Sequence, residues 1–342
     1  MRTNQPLRAR KSPLMAILAS LFFGSVSAQA SSTPWFDDET QTERIVLPEG
    51  YKYPNGITHS PKGRVFVGSV VSGDILEIKP NKKVRVAIPA SEQVFAGTSL
   101  RFDEVTNILW VASPDFLGVT DSDGNVSRRA HRVAAIDMKK RKVLRIWTMP
   151  DQGFCNDIAL DGQGGVFISD SIADLVHHID SPTSELEPYA TSSLFSPGEL
   201  GPAGIVQLAN SDLVVGLYSA GELLRVSGND RSVSRIPLQR SLENPDGIYA
   251  INDNKILVLE GGASSGNGKL NLIDFNGDAP YAVHTLVEHI ESPLNLTVVD
   301  DKVYITESRI RHLLIKDTGL PVPEAFFIRE IDLSSNPFYE ID

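Results

Sequence analysis

Six short segments along the chain begin in the same way, and each is followed by a second apolar segment. The six copies are Pro54-Asn55-Gly56-Ile57, Gly97-Thr98-Ser99-Leu100, Cys155-Asn156-Asp157-Ile158, Pro202-Ala203-Gly204-Ile205, Pro245-Asp246-Gly247-Ile248 and Pro293-Leu294-Asn295-Leu296. From the second residue of one copy to that of the next, the steps are 43, 58, 47, 43 and 48 residues. A repeat of about 40 to 50 residues with several strands per unit is typical of a β-propeller.

Each repeat has room for four short strands. In the first repeat these are Gly56–His59, Arg64–Ser69, Ile75–Ile78 and Val84–Ile88, separated by Gly, Asn and Asp turns. Six repeats of this length account for the chain, which is too short for a seventh. We therefore predict an all-β fold, a six-bladed β-propeller with four-stranded blades around a central tunnel.

Two segments depart from the regular repeat. Arg44–Leu47 precedes the first repeat and is predicted to complete the last blade, because a propeller closes its ring in this way and leaves no sheet edge open. Phe116–Arg129 is a polar insertion that explains the longest step. Insertions of this kind lie in loops on one face, which is often the binding face.

The first thirty residues have the pattern of a secretory signal peptide. A basic start is followed by the apolar run Leu14–Val26 and by the small-residue site Ala28-Gln29-Ala30. An uncleaved anchor is the alternative, but the run is shorter than the roughly 18 to 20 residues that a membrane span needs. We predict that residues 1–30 are removed, that residues 31–342 form a single domain, and that the protein is exported to the periplasm or secreted.

The net charge and the single cysteine limit which classes of partner and which cysteine chemistry are expected. The full chain has 32 basic and 43 acidic residues, and removal of the signal peptide leaves 28 basic residues and a net charge of about −15. Such a surface repels nucleic acid and anionic membranes, so a small-molecule substrate is expected, while the oligomeric state stays open. The single cysteine, Cys155, excludes an intrachain disulfide, and a buried, inert thiol is favoured over a nucleophile.

The second residue of each copy lies where the innermost strand of a blade begins, close to the tunnel. The six residues there are Asn55, Thr98, Asn156, Ala203, Asp246 and Leu294. Three of them, Asn55, Asn156 and Asp246, offer oxygen ligands of the hard type that suits Ca²⁺. An alternative is that Pro-Asn-Gly and Pro-Asp-Gly are ordinary turn sequences. Asn295 lies one position later, and a one-residue bulge would bring it to the tunnel.

Residues 154–171, and again Asn244-Pro245-Asp246-Gly247-Ile248-Tyr249, resemble the senescence-marker-protein, gluconolactonase and luciferin-regenerating-enzyme group. The resemblance implies a six-bladed propeller that binds a divalent metal, usually Ca²⁺, and hydrolyses lactones or related esters. Of that group's ligand positions, the first-blade Glu is Asn55 here, the fifth-blade Asp is Asp246, and the fourth-blade Asn is replaced by Ala203, which cannot coordinate. The third-blade Asn near the substrate corresponds to Asn156.

These observations lead to a hypothesis about function. We expect a metal-dependent hydrolase of the lactonase or esterase type, with Asn55, Asn156 and Asp246 around a divalent ion, for which Ca²⁺ is the expected metal. Asp246 is the candidate catalytic residue, and Asn156 and Asn295 are candidates for substrate binding. Two alternatives stay open: a non-catalytic propeller that binds a ligand or a protein, and an enzyme similar to strictosidine synthase that acts without a metal.

Overall fold

The computed structural model describes residues 42–120, 123–315, 319–334 and 336. These residues form six four-stranded antiparallel sheets and one small two-stranded sheet. The predicted six-bladed β-propeller is therefore confirmed. The predicted signal peptide, residues 1–30, lies outside the described residues. Within them, no helix has both the length and the apolar character needed to cross a membrane.

The blades follow one another along the chain, and each is built from the innermost strand outward. Blade 1 contains β2 (Pro54–His59), β3 (Val65–Ser69), β4 (Ile75–Ile78) and β5 (Val84–Ile88), and blade 2 contains β6 (Ser99–Asp103), β7 (Ile108–Ser113), β10 (Arg132–Asp137) and β11 (Lys142–Thr148). Blade 3 contains β12 (Cys155–Leu160), β13 (Val166–Asp170), β14 (Leu175–Ile179) and β15 (Glu187–Thr191), and blade 4 contains β16 (Pro202–Gln207), β17 (Leu213–Leu217), β18 (Glu222–Val226) and β19 (Val233–Ile236). Blade 5 contains β20 (Ile248–Ala250), β21 (Lys255–Glu260), β22 (Gly268–Asp274) and β23 (Val283–Ile290), and blade 6 contains β24 (Pro293–Val299), β25 (Lys302–Glu307), β26 (Phe327–Asp332) and β1 (Thr42–Val46). Helical structure in the described residues is limited to α1 (Arg311–Leu314) and two 3₁₀ turns, Pro150–Gln152 and Ser193–Phe195.

The ring is closed by the first strand of the chain. Strand β1 pairs antiparallel with β26, in a register that joins Thr42 to Ile331 and Val46 to Phe327. It corresponds to the closing strand expected at Arg44–Leu47. Ile45 in β1 and Leu47 directly after it are buried, so closure removes a sheet edge and also adds apolar contacts.

The innermost strands explain why the blades pack tightly. The fourth residue of each sequence copy is aliphatic and at most 2% exposed, and it lies between neighbouring blades; the six residues are Ile57, Leu100, Ile158, Ile205, Ile248 and Leu296. Because all six innermost strands run in the same direction, they begin at one face of the ring, here called the upper face, and end at the other, here called the lower face.

The predicted insertion forms a small hairpin on the upper face. Strands β8 (Val119–Thr120) and β9 (Val126–Ser127) pair between β7 and β10 of blade 2. The buried carboxylate of Asp115 fixes the base of the hairpin, because it accepts hydrogen bonds from the backbone N–H of Arg129 at 2.7 Å and from the Arg129 guanidinium at 3.1 and 3.2 Å. The insertion is thus attached to the edge of the tunnel opening.

Candidate functional site

The third residues of the six sequence copies lie next to one another around the tunnel. These residues, here called the inner ring, are Gly56, Ser99, Asp157, Gly204, Gly247 and Asn295. The glycines are required by close approach: a Cβ atom on Gly204 would lie 1.8 Å from the carbonyl oxygen of Asp246, and one on Gly247 would lie 2.7 Å from the Cα of Asn295. Pro54, Asn55 and Gly56 begin strand β2, and Pro245, Asp246 and Gly247 lead into β20 without a turn, so the alternative that these are ordinary turn sequences is wrong.

Asp157 closes the tunnel at the inner ring. Its buried carboxylate accepts hydrogen bonds from Ser99 Oγ at 2.6 Å, from Arg101 Nη2 at 3.1 Å to each oxygen, and from the backbone N–H of Ile205 at 3.1 Å. It also accepts a bond from Asn295 Nδ2 at 3.3 Å. Blades 3 and 6 stand opposite each other in the ring, so this last bond crosses the tunnel. The network separates an upper opening from a lower compartment.

The second residues of the copies divide into two groups by exposure. Thr98, Ala203 and Leu294 are buried, at 6%, 0% and 4% exposure. Asn55, Asn156 and Asp246 are only partly buried. The three residues with oxygen ligands therefore keep contact with the upper opening, and the other three belong to the blade core.

The amide of Asn156 has a fixed orientation. Ser171 Oγ donates a hydrogen bond to the carbonyl oxygen of Pro202 at 2.6 Å, so it can only accept from its other neighbour, Asn156 Nδ2, at 2.8 Å. The Oδ1 atom of Asn156 then points away from Ser171. Among the described residues it receives no hydrogen bond, so a carbonyl oxygen is held ready as a ligand.

Asp246 lies beside a second negative charge. Its burial and the neighbouring carboxylate of Asp157 raise the pKa of Asp246 well above its usual range. In the described part of the chain no cationic side chain pairs with it. The buried phenol of Tyr218 also lies close by, and burial together with the charge of Asp246 raises the pKa of Tyr218. A carboxylate in this setting is suited to hold a cation or to accept a proton.

Asn295, a sequence-based candidate for substrate binding, is 2% exposed. Strand β24 does contain the expected irregularity, between Pro293 and Leu296, but blades 1, 3 and 4 have the same one. The irregularity brings Asn295 into the tunnel, where its side chain binds Asp157. Its place is therefore in the closing network rather than beside Asn55, Asn156 and Asp246.

Apolar side chains surround the upper opening. Phe116, from the base of the blade 2 insertion, packs against the apolar cluster of blades 1 and 6 that contains Tyr53 and Ile310. Its ring centroid also lies 6.1 Å from that of Phe154 in blade 3. Leu313 and Leu314 of α1 join the same cluster. Phe116 thus contacts residues from blades on different sides of the ring.

The donor set for a metal ion depends on amide oxygens. Within the described residues, no group of three or more His, Cys, Asp or Glu side chains could hold a metal ion. Asn55, Asn156 and Asp246 carry two amide oxygens and one carboxylate, which are donor types that a hard cation such as Ca²⁺ prefers. Asp157 cannot join them, because its oxygens are already taken by its hydrogen-bond donors.

Other conspicuous residues have structural partners. Asp170 accepts hydrogen bonds from the backbone N–H groups of Phe154 and Ala173 at 2.8 and 2.9 Å. Arg240 binds Glu260 and Arg329 binds Glu307, both as buried or nearly buried ion pairs. Cys155 is completely buried, which raises the pKa of its thiol, and Sγ donates to the carbonyl oxygen of Arg132 at 3.2 Å. The expectation of an inert cysteine agrees with this environment.

Ser99, Arg101 and Asp157 were not singled out from the sequence. Their partners come from other blades, up to 138 residues away along the chain. One signal does exist: the third position of the copies is glycine in three blades and a polar residue, Ser99, Asp157 or Asn295, in the other three. A glycine at such a position indicates close backbone approach, and a polar residue among glycines indicates a side chain that fills the remaining space.

No protein-family model matches the sequence, and no curated protein matches it. Solved structures do share its fold. Virginiamycin B lyase from Staphylococcus aureus is 13% identical, with a TM-score of 0.57 over 86% of this chain and 99% of that chain. A putative gluconolactonase is 13% identical, with a TM-score of 0.57 over 87% of this chain and 93% of that chain.

A gluconolactonase from Xanthomonas campestris is 12% identical, with a TM-score of 0.56 over 85% of this chain and 89% of that chain. Gluconolactonases are thus among the proteins that share this architecture. The likeness agrees with the resemblance found in the sequence motifs. At 12 to 13% identity, this structural likeness shows a shared fold.

Proposed function

We propose that this protein is an exported, metal-dependent hydrolase of the lactonase or esterase type that acts on a small lactone or related ester. One observation carries the proposal. Of the six equivalent positions at the upper opening, the three with oxygen ligands are partly exposed and the other three are buried. The solved gluconolactonase structures with the same fold add support.

The proposed ligands are Asn55, Asn156 and Asp246. The fixed amide of Asn156 presents its Oδ1 atom without rearrangement, because Ser171 already holds its nitrogen. Asp246 supplies the negative charge. A divalent cation bound there would polarise the carbonyl group of an ester and stabilise the negative charge that develops on its oxygen.

The chain's own residues have three tasks in this proposal. Asn156 orients the ester group. Asp246 accepts a proton from the attacking water. Phe116 and the apolar cluster that it contacts receive the apolar part of the substrate and limit the entry of water.

The test uses the purified mature chain, its metal content, its melting temperature with and without Ca²⁺, and its turnover of a panel of lactones and aryl esters. We expect a bound divalent metal and a Ca²⁺-dependent rise in melting temperature. Asp246→Asn should abolish that rise and reduce turnover by about a hundredfold or more. Asp278→Asn, at an exposed site, is the matched control and should behave like the wild type.

The same measurements can exclude the proposed hydrolase function. A protein that contains no divalent metal, shows no thermal shift with Ca²⁺ and turns over none of the panel would rule the proposal out. Export has its own measurement: mass spectrometry of the secreted or periplasmic protein should find an N-terminus near residue 31. A retained N-terminus would exclude cleavage at this site.

A second candidate function is a non-catalytic propeller that binds a ligand or a protein partner. The observation that favours it is Ala203, which is fully buried and offers no ligand at the fourth position. The two candidates differ in their response to Asp246→Ala. Turnover is lost if the protein is a hydrolase, whereas partner binding changes little if it is a binding platform.

A further inference from the structure

The lower compartment of the tunnel is a cavity of about 560 Å³. This volume is typical of small-molecule sites. The hydrogen bond between Asn295 and Asp157 lies between the cavity and the upper opening, so the two are separate. Nothing in the proposed hydrolase site uses the cavity.

The cavity owes its size to one layer of side chains. The residue two positions after each inner ring residue lines it, and the six residues are Thr58, Arg101, Ala159, Val206, Tyr249 and Thr297. Only Arg101 and Tyr249 are large, and they come from blades 2 and 5, which face each other across the ring. The four smaller residues leave the remaining space open.

Arg101 and Tyr249 bring unused hydrogen-bond donors to the cavity. Arg101 Nη2 binds Asp157, and one Nη1–H donates to the carbonyl oxygen of Leu100 at 2.8 Å. In the described part of the chain, no acceptor takes the Nε–H or the second Nη1–H. The Tyr249 hydroxyl likewise has no hydrogen-bond partner among the described residues. Each group can donate to a ligand oxygen.

The charges around the cavity favour an uncharged ligand. Asp157 balances the charge of Arg101 at 3.1 Å. Asp103 and Glu104 line the cavity as well and carry negative charge. His59 accepts or donates a bond to Thr297 Oγ1 at 2.8 Å, and its burial lowers the pKa of the imidazole, although Glu104 and Asp300 act in the opposite direction. An anion would therefore meet net repulsion, and a cation would meet the Arg101 guanidinium.

The cavity wall also has an apolar part. Ile57, Leu160, Ile248 and Leu296 line the cavity together with Val206. A ligand that leaves water for this space gains about 25 cal/mol for each Å² of apolar surface that it buries. Arg101 and Tyr249 each follow an inner ring residue by two positions, so their donors lie at the inner-ring end of the cavity and can orient a ligand that has one polar end.

We propose that the lower cavity binds a neutral, largely apolar molecule whose carbonyl oxygen accepts hydrogen bonds from Arg101 and Tyr249. Its apolar part lies along Val206 and Leu160 toward the lower face. The site is independent of the proposed metal site at the upper opening. It does not require that the protein be a hydrolase.

The experiment measures binding of three nine-carbon probes to the mature protein by saturation-transfer NMR and calorimetry. The probes are 2-nonanone, nonanoate and nonylammonium, which are neutral, anionic and cationic. We expect 2-nonanone to bind and the two charged probes to bind at least about tenfold more weakly. Addition of EDTA and the variant Asp246→Asn should leave 2-nonanone binding within about twofold of the wild type, which separates this site from the upper one.

Two variants locate the binding. Val206→Trp fills the cavity and should weaken 2-nonanone binding by about tenfold or more. Tyr249→Phe removes only a hydroxyl group and should weaken it about threefold to tenfold. If Val206→Trp fails to fold, the binding of 2-nonanone to Tyr249→Phe alone tests the location of the site. Unchanged binding of 2-nonanone in the folded variants, or equal binding of nonanoate, overturns the proposal.

Discussion

At the scale of single residues, Asp157 has the largest structural role in the tunnel. Its carboxylate joins residues from blades 2, 3, 4 and 6, and each of its oxygens faces at least two hydrogen-bond donors. A buried charge is tolerated only when it is paired and fully hydrogen-bonded. Arg101 and the surrounding N–H and O–H groups meet this requirement, so Asp157 and its partners form one unit.

We expect Asp157→Asn to lower the free energy of unfolding by about 3 kcal/mol. The amide nitrogen would face donors in either orientation, and Arg101 would lose its counter-charge in a buried setting. Urea denaturation measures the loss. Asp278→Asn, at an exposed position, serves as the control and should change stability by less than about 0.5 kcal/mol. A loss below about 1 kcal/mol in Asp157→Asn would show that the network adds little.

Glu291 holds helix α1 against the end of blade 5. Burial alone would raise the pKa of this carboxyl, but hydrogen bonds from Arg311, His312 and Arg309 outweigh burial and lower the pKa to about 2. The lowered pKa stabilises the fold fully above the ordinary value of about 4.5, and that stabilisation is lost as the pH falls toward 2.

The variant Glu291→Gln should therefore lose roughly 3 kcal/mol at pH 7, the free energy that corresponds to this pKa shift. The difference from the wild type should shrink between pH 4.5 and pH 2. Chemical denaturation at pH 7, 4 and 2.5 measures it. A difference that does not depend on pH would mean that Glu291 acts by packing rather than by charge.

At the scale of strands and loops, most of the fold follows from the sequence. The repeated copies indicate six blades, because aliphatic residues such as Ile158 and Ile205 recur at the position that packs between blades. The closing strand follows from the need to cover the edge of β26. These features depend on local patterns of apolar residues and turns, which a sequence displays directly.

The candidate site is less accessible from sequence for a physical reason. The copies identify Asn55, Asn156 and Asp246, but which side of a strand a residue faces depends on the irregularity at its start. A shift of one residue moves a side chain to the opposite face. The inner ring therefore contains Asp157, one position beyond the candidate Asn156, and its contact with Asn295 joins blades far apart in the chain.

Strand β1 should be essential for the closed ring. Deletion of residues 42–47 leaves the edge of β26 unpaired and removes the buried side chains of Ile45 and Leu47. We expect a fall in melting temperature of about 10 °C or more, together with association that depends on concentration. Light scattering and thermal denaturation measure both. Deletion of residues 32–37, which leaves β1 intact, is the control, and equal behaviour of the two deletions would exclude a closing role.

At the scale of the whole molecule, closure of the ring makes each blade depend on its two neighbours. Among the described residues the core consists of six apolar clusters, and several of them take residues from adjacent blades, as the cluster around Phe66 and Leu109 does in blades 1 and 2. No blade buries its apolar surface alone. Opening of one blade therefore exposes surface on the next, and we expect the propeller to unfold cooperatively.

Cys155 is a built-in probe of that cooperativity. Its thiol is completely buried in the apolar cluster formed by Trp110 and Ile158, and burial raises its pKa, so very little thiolate exists in the folded state. A thiol reagent such as dithionitrobenzoate should react only when the propeller opens. At pH 8 the reaction should be at least about a thousandfold slower than that of a free thiol.

The control is a variant that combines Cys155→Ser with Val126→Cys, which moves the thiol to an exposed position on the insertion. It should react rapidly in the folded protein. For wild-type Cys155, the free energy of opening from the labelling rate should match the free energy of unfolding from urea denaturation. A labelling rate that is fast and insensitive to urea would mean that blade 3 opens alone, and that the closed ring does not couple its blades.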